Sequence, residues 1–160
     1  LDNRLLFKLC WHVIMPCDKF NLLRMFALIR HGAHDIYPDH LTPEGQLAIT
    51  AFAQCLSLIH SWTHLKASPR VRTQETAAII GRVLGLSVET DPSLLENVDH
   101  GVWMPPHPIV DGTLLVTHIP AIREIVTAWA EVFAIDRFPL VQVGEGVMID
   151  PIRKTIEKLV

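Results

Sequence analysis

Histidines and arginines recur in this chain at or soon after the ends of short segments that could form strands. They are Arg30 and His31 after 25–29, Arg72 four residues after 64–68, and His118 after 113–117. Histidine serves metal binding, proton transfer or phosphoryl transfer, and a guanidinium group holds phosphoryl oxygens through charge-assisted, often bidentate hydrogen bonds. Since the chain has 9 histidines, the positions of the elements that carry them decide which of these chemistries is open to it.

Strands and helices are predicted to alternate along the chain. A continuous apolar run predicts a buried strand at 25–29, and further short strands are predicted at 64–68, 86–90 and 113–117. Apolar spacing of three and four residues predicts helices from Thr42-Pro43, over 74–84 and after Pro120, whereas prolines make 91–112 a loop, and 140–160 is expected to form edge strands or a hairpin. This alternation indicates an α/β domain with a largely parallel sheet.

The first predicted helix has a clear start and an expected buried face. Thr42 suits the N-cap, and Pro43 suits the first helical position, where a backbone N–H is not needed. The apolar residues that are expected to face the sheet are Leu47, Ala48, Ala51, Phe52 and Leu56.

Ligands of open α/β sheets bind beyond the carboxyl ends of the strands. Three of the four predicted strands end there in histidine or arginine, and the third leads to Leu95-Glu96. We therefore expect at least two arginines, two histidines and a glutamate at one rim of the sheet. Such a concentration of positive donors is what a phosphate ester needs.

Composition limits the protein to a few classes. The chain has 160 residues and a formal net charge of −3, which fits one domain and excludes a general nucleic-acid binder. No apolar run is long enough to predict a membrane span. Cys10, Cys17 and Cys55 are odd in number and form no CxxC pair, so we expect reduced thiols in a cytoplasmic protein. Residues 1–24 are expected to be an extension of unknown role before a domain over 25–160.

Five motifs, in order along the chain, resemble those of the histidine phosphatase superfamily, also called phosphoglycerate-mutase-like. They are Leu28-Ile29-Arg30-His31-Gly32, Leu41-Thr42-Pro43-Glu44-Gly45, the block SPRVRTQETA from Ser68 to Ala77, Leu95-Glu96 and Val116-Thr117-His118. The short length and His118-Ile119-Pro120 are most similar to the small, single-domain branch that includes SixA-type phosphohistidine phosphatases. The resemblance implies a three-layer α/β sandwich with a mainly parallel central sheet.

The resemblance also implies a covalent mechanism without a metal or cofactor. The implied roles are nucleophile and site of the phosphohistidine intermediate for His31, and phosphate binding for Arg30, Arg72 and His118. Glu96 would be the general acid and then the base, for which a raised pKa is expected. Asp99 is its substitute, because the spacing from Glu96 to Gly101 departs from the family pattern.

The segment after Glu96 bears on the substrate. Residues 97–112 allow only a short loop where the family has a helical crossover or a lid, unless the strands pair differently. A more open pocket argues against a mutase, which must retain its intermediate, and favours a phosphatase. The expected partner is a small phosphomonoester or a protein phosphohistidine. The alternative is a catalytically impaired phosphate-binding or regulatory module of the same fold.

The remaining histidines leave a histidine-based metal protein as a third hypothesis. His60 and His64 have the i, i+4 spacing of a helical metal pair, but no third ligand lies at a telling distance along the chain. Surface or capping roles are therefore expected for both. Positions at or over the rim of the pocket are expected for His34, His40, His100 and His107.

Overall fold

The computed structural model describes residues 25–98, 100 and 109–159. The elements, in chain order, are β1 (Phe26–Arg30), α1 (Pro43–Ile59), β2 (His64–Ala67), α2 (Val71–Leu84), β3 (Val88–Thr90), a 3₁₀ turn (Pro92–Leu94), β4 (Thr113–Thr117), α3 (Ile119–Phe133), β5 (Gly146–Asp150) and β6 (Thr155–Leu159). The expected extension over 1–24, together with Asp99, Gly101 and His107, lies outside the described residues. Within the described ranges, no helix has the length and hydropathy to cross a membrane.

The described strands form one sheet in the order β3-β2-β4-β1-β5-β6. The first four strands in this order are parallel, and β5 and β6 add an antiparallel hairpin, as expected for 140–160. Arg30 pairs with Thr117, and Ala67 pairs with Val116, so β1, β2 and β4 end at one level. The residues that follow these strands therefore meet at one rim, and the mainly parallel sheet is confirmed.

Helices cover both faces of the sheet and produce three layers. Alternate residues of β1 face opposite sides, with Phe26 and Leu28 in the core under α3. Ala27 and Ile29 face the core under α1 and α2. Both cores include residues of β1 and β4, which end at the rim. Packing on either face of the sheet therefore fixes the positions of the residues that follow these strands.

The predicted apolar face of α1 is right at Phe52 and Leu56 and wrong at Leu47, Ala48 and Ala51. Thr42 caps the helix, since its Oγ1 accepts from the N–H of Gly45 at 3.0 Å. Leu47 is 72% exposed, and Ala48 and Ala51 are exposed as well. The buried face consists of Gly45, Ile49, Phe52, Ala53 and Leu56. Leu47 misled the prediction because hydropathy alone does not distinguish two overlapping stripes on an alanine-rich helix.

The second helix and the third strand begin at other residues than predicted. Helix α2 begins at Val71, directly after Arg70, rather than at Gln74. It ends at the predicted Gly85, which has a left-handed φ of 70° and closes the helix without strain. Strand β3 is limited to Val88–Thr90 because the N–H of Leu86 still donates to Gly81 O, at 2.9 Å.

The connection from β3 to β4 spans residues 91–112, and because 99 and 101–108 lie outside the described residues, the short loop expected there stays a prediction. Strand β3 lies at the edge of the sheet and β4 lies beyond β2, and all three are parallel. The pairing is thus the ordinary parallel one. Among the described residues of 91–112, 3₁₀ turns lie at Pro92–Leu94 and at His100.

Candidate active site

The predicted site residues whose positions are described meet at the rim where β1, β2 and β4 end. Arg30 is the last residue of β1 and His31 follows it, while His118 follows β4 and caps α3. The ring centroids of His31 and His118 are 5.4 Å apart. Arg72 lies in the first turn of α2, and its Nη2 donates to His118 Nδ1 at 3.1 Å. The rim is therefore a cluster of basic side chains, as expected.

His31 is held rigidly and is only 5% exposed. Its N–H donates to Thr117 O at 3.2 Å, and its carbonyl accepts from Gly144 N at 3.0 Å. The ring Nδ1 lies 3.0 Å from Gly32 O. Because a carbonyl only accepts, Nδ1 carries the proton, and the lone pair of the neutral ring is on Nε2.

The surroundings of His31 keep its imidazole uncharged. Burial is the largest influence and lowers its pKa from 6.5 to about 4. The hydrogen bond to Gly32 opposes this shift, whereas the nearby charges of Arg72, His34 and Arg30 add to it. At neutral pH the ring is therefore unprotonated at Nε2.

Glycines let α1 approach the histidine closely. A Cβ on Gly32 would lie 2.8 Å from Ile49 Cγ1, and the N–H of Gly32 donates to Thr76 Oγ1 at 3.0 Å. A Cβ on Gly45 would collide with the carbonyl oxygen of Ala33. The motif of residues 41–45 therefore holds the backbone beside His31, a role beyond the helix start predicted from its sequence.

His118 is also buried and has a defined tautomer. Arg72 Nη2 donates to its Nδ1, so Nε2 carries the proton and donates to Ser68 Oγ at 2.9 Å. Burial lowers the pKa of His118 to about 4, opposed by Glu96 and assisted by the charges of Arg72, His31 and Arg70. His118 thus offers a neutral N–H donor next to the N-terminus of α3.

The two arginines contribute buried donors. Arg72 Nη1 donates to Asp39 Oδ1 at 2.7 Å, and Nη2 lies 3.4 Å from Glu96 Oε1. The Nε atoms of Arg30 and Arg72 are buried with no hydrogen-bond partner among the described residues. Buried polar groups are normally paired. Two unpaired guanidinium N–H groups beside His31 fit an anion with several acceptor oxygens.

Glu96 reaches the cluster, but its electrostatic state differs from the expectation. Arg70 contacts its Oε1 through Nε at 3.1 Å and Nη2 at 3.0 Å, and its Oε2 lies 3.2 Å from His118 Nε2. Burial alone would raise the pKa of Glu96. Its own backbone N–H, the hydrogen bond from Arg70 and the charges of His118 and Arg70 outweigh burial and lower it. Glu96 is therefore ionised at neutral pH, and the expected raised pKa is wrong.

The loop between His31 and α1 brings in residues that sequence reasoning missed. Asp39, in a left-handed conformation with φ of 73°, holds Arg72 and lies 3.7 Å from His34 Nε2. The His34 ring stands edge-on to His31, with centroids 4.8 Å apart. His40 Nδ1 contacts Glu75 Oε1 at 2.6 Å. The rim position expected for His34 agrees with this geometry, and His40 anchors the loop.

The other described histidines have structural partners. His100 is buried, with Nε2 2.6 Å from Leu95 O and Nδ1 2.6 Å from Glu124 Oε2, so it packs beneath the rim instead of lining it. His60 lies against Trp62, with ring centroids 5.1 Å apart, and His64 bonds Thr63. In the part of the chain that the structure describes, no group of three or more His, Cys, Asp or Glu residues is placed to hold a metal ion.

Fold and site together define an α/β protein with a cluster of histidine and arginine side chains at the carboxyl-terminal rim of its parallel strands. The chain belongs to the histidine phosphatase superfamily (branch 1), whose model matches residues 26–110. The resemblance seen in the motifs, the fold class and the assignment to the phosphatases are thereby confirmed at the level of the superfamily. A search of curated proteins finds no match.

Solved structures show the same fold at low sequence identity. The protein histidine phosphatase SixA complexed with tungstate is 20% identical, with a TM-score of 0.67, and the match covers 84% of this chain and 93% of that one. Phosphoserine phosphatase from Entamoeba histolytica, in complex with 3-phosphoglyceric acid, is 14% identical with a TM-score of 0.59 and coverages of 86% and 96%. A mycobacterial glucosyl-3-phosphoglycerate phosphatase is 15% identical with a TM-score of 0.59 and coverages of 78% and 89%.

Proposed function

We propose that this protein is a metal-independent phosphatase that forms a covalent phosphohistidine on His31. The observation that carries the proposal is the state of His31, a buried and neutral imidazole. Its Nδ1 proton is held by Gly32 O, so the Nε2 lone pair is available among basic side chains. A neutral imidazole nitrogen is the nucleophile that such a reaction needs.

In the first step His31 Nε2 attacks phosphorus, a P–N bond forms, and the bond from phosphorus to the leaving group breaks with its electron pair. Arg30 and Arg72 donate to the phosphoryl oxygens, and the N–H of His118 does so once it exchanges Ser68 Oγ for one of them. These donors stabilise the charge of the oxygens in the transition state. In the second step water attacks phosphorus and the P–Nε2 bond breaks. The Glu96 carboxylate takes the proton of that water, and inorganic phosphate leaves.

The ionised state of Glu96 favours one kind of substrate. A carboxylate has no proton to give, so the leaving group must depart without one from Glu96. An alkoxide is too basic to leave in this way, whereas the imidazole of a phosphohistidine, protonated on its other nitrogen, leaves as a neutral ring. We therefore propose a protein phosphohistidine, rather than an alkyl phosphomonoester, as the substrate, which agrees with the structural similarity to the protein histidine phosphatase SixA.

A rapid-quench experiment with an aryl phosphate that carries radioactive phosphorus tests whether the phosphohistidine intermediate forms. The wild type is expected to acquire acid-labile, alkali-stable label on the peptide that contains His31, in the presence of EDTA, and His31→Ala is expected to acquire none. His64→Ala is the matched control, because His64 is exposed and far along the sheet from the rim. Label that persists in His31→Ala, or that requires a metal, would contradict the proposal.

One observation favours the second candidate, an impaired phosphate-binding or regulatory module. Asp39 and Glu96 already hold the guanidinium of Arg72, so an incoming phosphoryl group must compete with two carboxylates. Vanadate binding without turnover of either an aryl phosphate or a phosphohistidine would favour the module. Turnover of either substrate would exclude the impaired module. The cytoplasmic location expected from the cysteines stays a prediction, which fractionation of the host cell tests.

A further inference from the structure

Two large apolar side chains protrude from the loop between His31 and α1. Ile36 is 96% exposed and Tyr37 is 93% exposed. They are adjacent in the chain, and we call them the loop tip. Of the other exposed large apolar side chains in the described residues, only Leu58 and Ile59 are also adjacent in the chain, and Ile59, at 45%, is far less exposed than either residue of the loop tip. Single exposed residues are normal on a protein surface, whereas a contiguous pair next to a candidate site calls for an explanation.

The loop that carries the tip is closed by its own backbone. Ala33 O accepts from the N–H of Thr42 at 2.9 Å, and His40 O accepts from the N–H of Asp35 at 2.9 Å. His34 and Leu41 form an antiparallel bridge between these two bonds. The tip is therefore the turn of a small hairpin that starts two residues after His31.

Side chains tie the same loop to the phosphate-binding arginine. Asp39 accepts from Arg72 Nη1 at 2.7 Å. Glu75 Oε2 accepts from the N–H of Leu41 at 2.7 Å, while Oε1 contacts His40. Both Arg72 and Glu75 belong to α2, so the tip is fixed relative to the site. Whatever covers the tip must lie beside the place where the phosphoryl group is held.

The chemistry of the tip selects one occupant. A stable dimer buries about 800 Å² on each partner, which is more than one isoleucine and one tyrosine can offer. A membrane surface would be recognised by lysines and arginines, but the residues that flank the tip include Asp35 and Asp39. A polypeptide with apolar side chains near its phosphorylated residue needs neither a large area nor positive charge.

We propose that Ile36 and Tyr37 dock apolar side chains of a polypeptide substrate next to its phosphorylated residue. This inference rests on the proposed function and narrows its substrate to a polypeptide with an apolar neighbourhood. Because the loop tip lies outside the phosphoryl pocket, it contributes the same binding free energy to the bound substrate and to the transition state. It therefore lowers KM and leaves kcat unchanged.

Two phosphohistidine peptides of equal length test the docking, one with Leu and Phe flanking the phosphohistidine and the other with Ser and Gly. The wild type is expected to hydrolyse the apolar peptide with a kcat/KM higher by roughly tenfold, the effect of partly burying two side chains. The double variant Ile36→Ser/Tyr37→Ser is expected to lose this preference through KM. Leu58→Ser, which removes an 87% exposed leucine from the far end of α1, is the matched control and is expected to keep it.

Hydrolysis of p-nitrophenyl phosphate separates this inference from the proposed function. The aryl phosphate carries no peptide flanks, so the double variant is expected to hydrolyse it as the Leu58→Ser control does. Equal kcat/KM for the two peptides in the wild type, or an unchanged preference in the double variant, overturns the docking while p-nitrophenyl phosphate turnover upholds the phosphatase. A fall in kcat for every substrate also overturns it, because the tip would then support the site itself. Failure to hydrolyse any of the three substrates refutes the proposed function.

Discussion

Arg70 approaches Glu96 Oε1 with two nitrogens, Nε at 3.1 Å and Nη2 at 3.0 Å, and leaves Oε2 directed at the site. Oε2 is buried without a hydrogen-bond donor and lies 3.2 Å from His118 Nε2. One oxygen is thus neutralised by an arginine, and the other is available to accept a proton. The arrangement makes Glu96 a better base than acid, and it makes Arg70 a positioning residue.

Replacing Arg70 tests this relationship. In Arg70→Gln the pKa of Glu96 is expected to rise, because the hydrogen bond and the positive charge that lower it are both lost. Glu96 acts as a base only above its pKa, so the acidic limb of kcat against pH moves to higher pH. Arg70→Lys, which keeps the charge, is expected to restore part of the shift. Arg82→Gln, at an exposed position in the last turn of α2, is the control.

One result for Arg70→Gln would contradict the positioning role of Arg70. A variant whose acidic limb stays at the wild-type pH, with kcat lowered equally at every pH, would show that Arg70 only supports the fold. Because Arg70 is about half exposed, the fold is expected to tolerate its loss, and a melting curve establishes that it does.

The low pKa of His31 predicts a loss of stability in acid. In the folded protein the pKa is about 4, and the ordinary value is 6.5, so between these pH values the unfolded chain binds the extra proton. Stability therefore falls as pH drops from 6.5 to about 4, by on the order of 3 kcal/mol. His31→Gln is expected to show a smaller fall over this window when urea unfolding is measured at each pH.

A matched variant isolates the contribution of His31. His64→Gln is the matched variant, because it removes an exposed histidine at the start of β2, away from the rim. His118 is buried with a similar pKa, so part of the fall remains in His31→Gln. An acid dependence that is identical in His31→Gln and the wild type would contradict the uncharged state assigned to His31.

The sequence predicted the positions of His31 and His118 because both depend on one local fact, the end of an apolar strand. Once β1 and β4 are parallel neighbours, the residues after them must meet. Asp39, Arg70 and Glu75 were missed because their partners lie 26 to 35 residues away along the chain, and no local pattern marks such pairs. The sign of the Glu96 pKa shift was missed for the same reason, since it depends on Arg70.

Asp39 is expected to weaken the binding of phosphate. Its carboxylate holds Arg72 Nη1 at 2.7 Å and repels an incoming anion. Asp39→Asn removes the charge and tolerates the left-handed φ of 73°, so the inhibition constant of vanadate should fall by about fivefold. Inhibition of p-nitrophenyl phosphate hydrolysis measures this. Asp35→Asn, on the same loop and exposed, is the control, and a weaker inhibition by vanadate in Asp39→Asn would reverse the role assigned to Asp39.

Replacing Gly45 by alanine is expected to change the unfolding free energy in the opposite direction to the same substitution at an ordinary helical position. Alanine at an unconstrained helical position stabilises by about 1 kcal/mol relative to glycine. At Gly45 the new Cβ would collide with Ala33 O, two residues from His31, and overpacking destabilises by about 1–3 kcal/mol. Gly45→Ala is therefore expected to lower both the unfolding free energy and kcat. The exposed Ala48→Ser is the control on the same helix, and a Gly45→Ala protein that is more stable than the wild type and equally active would refute the contact.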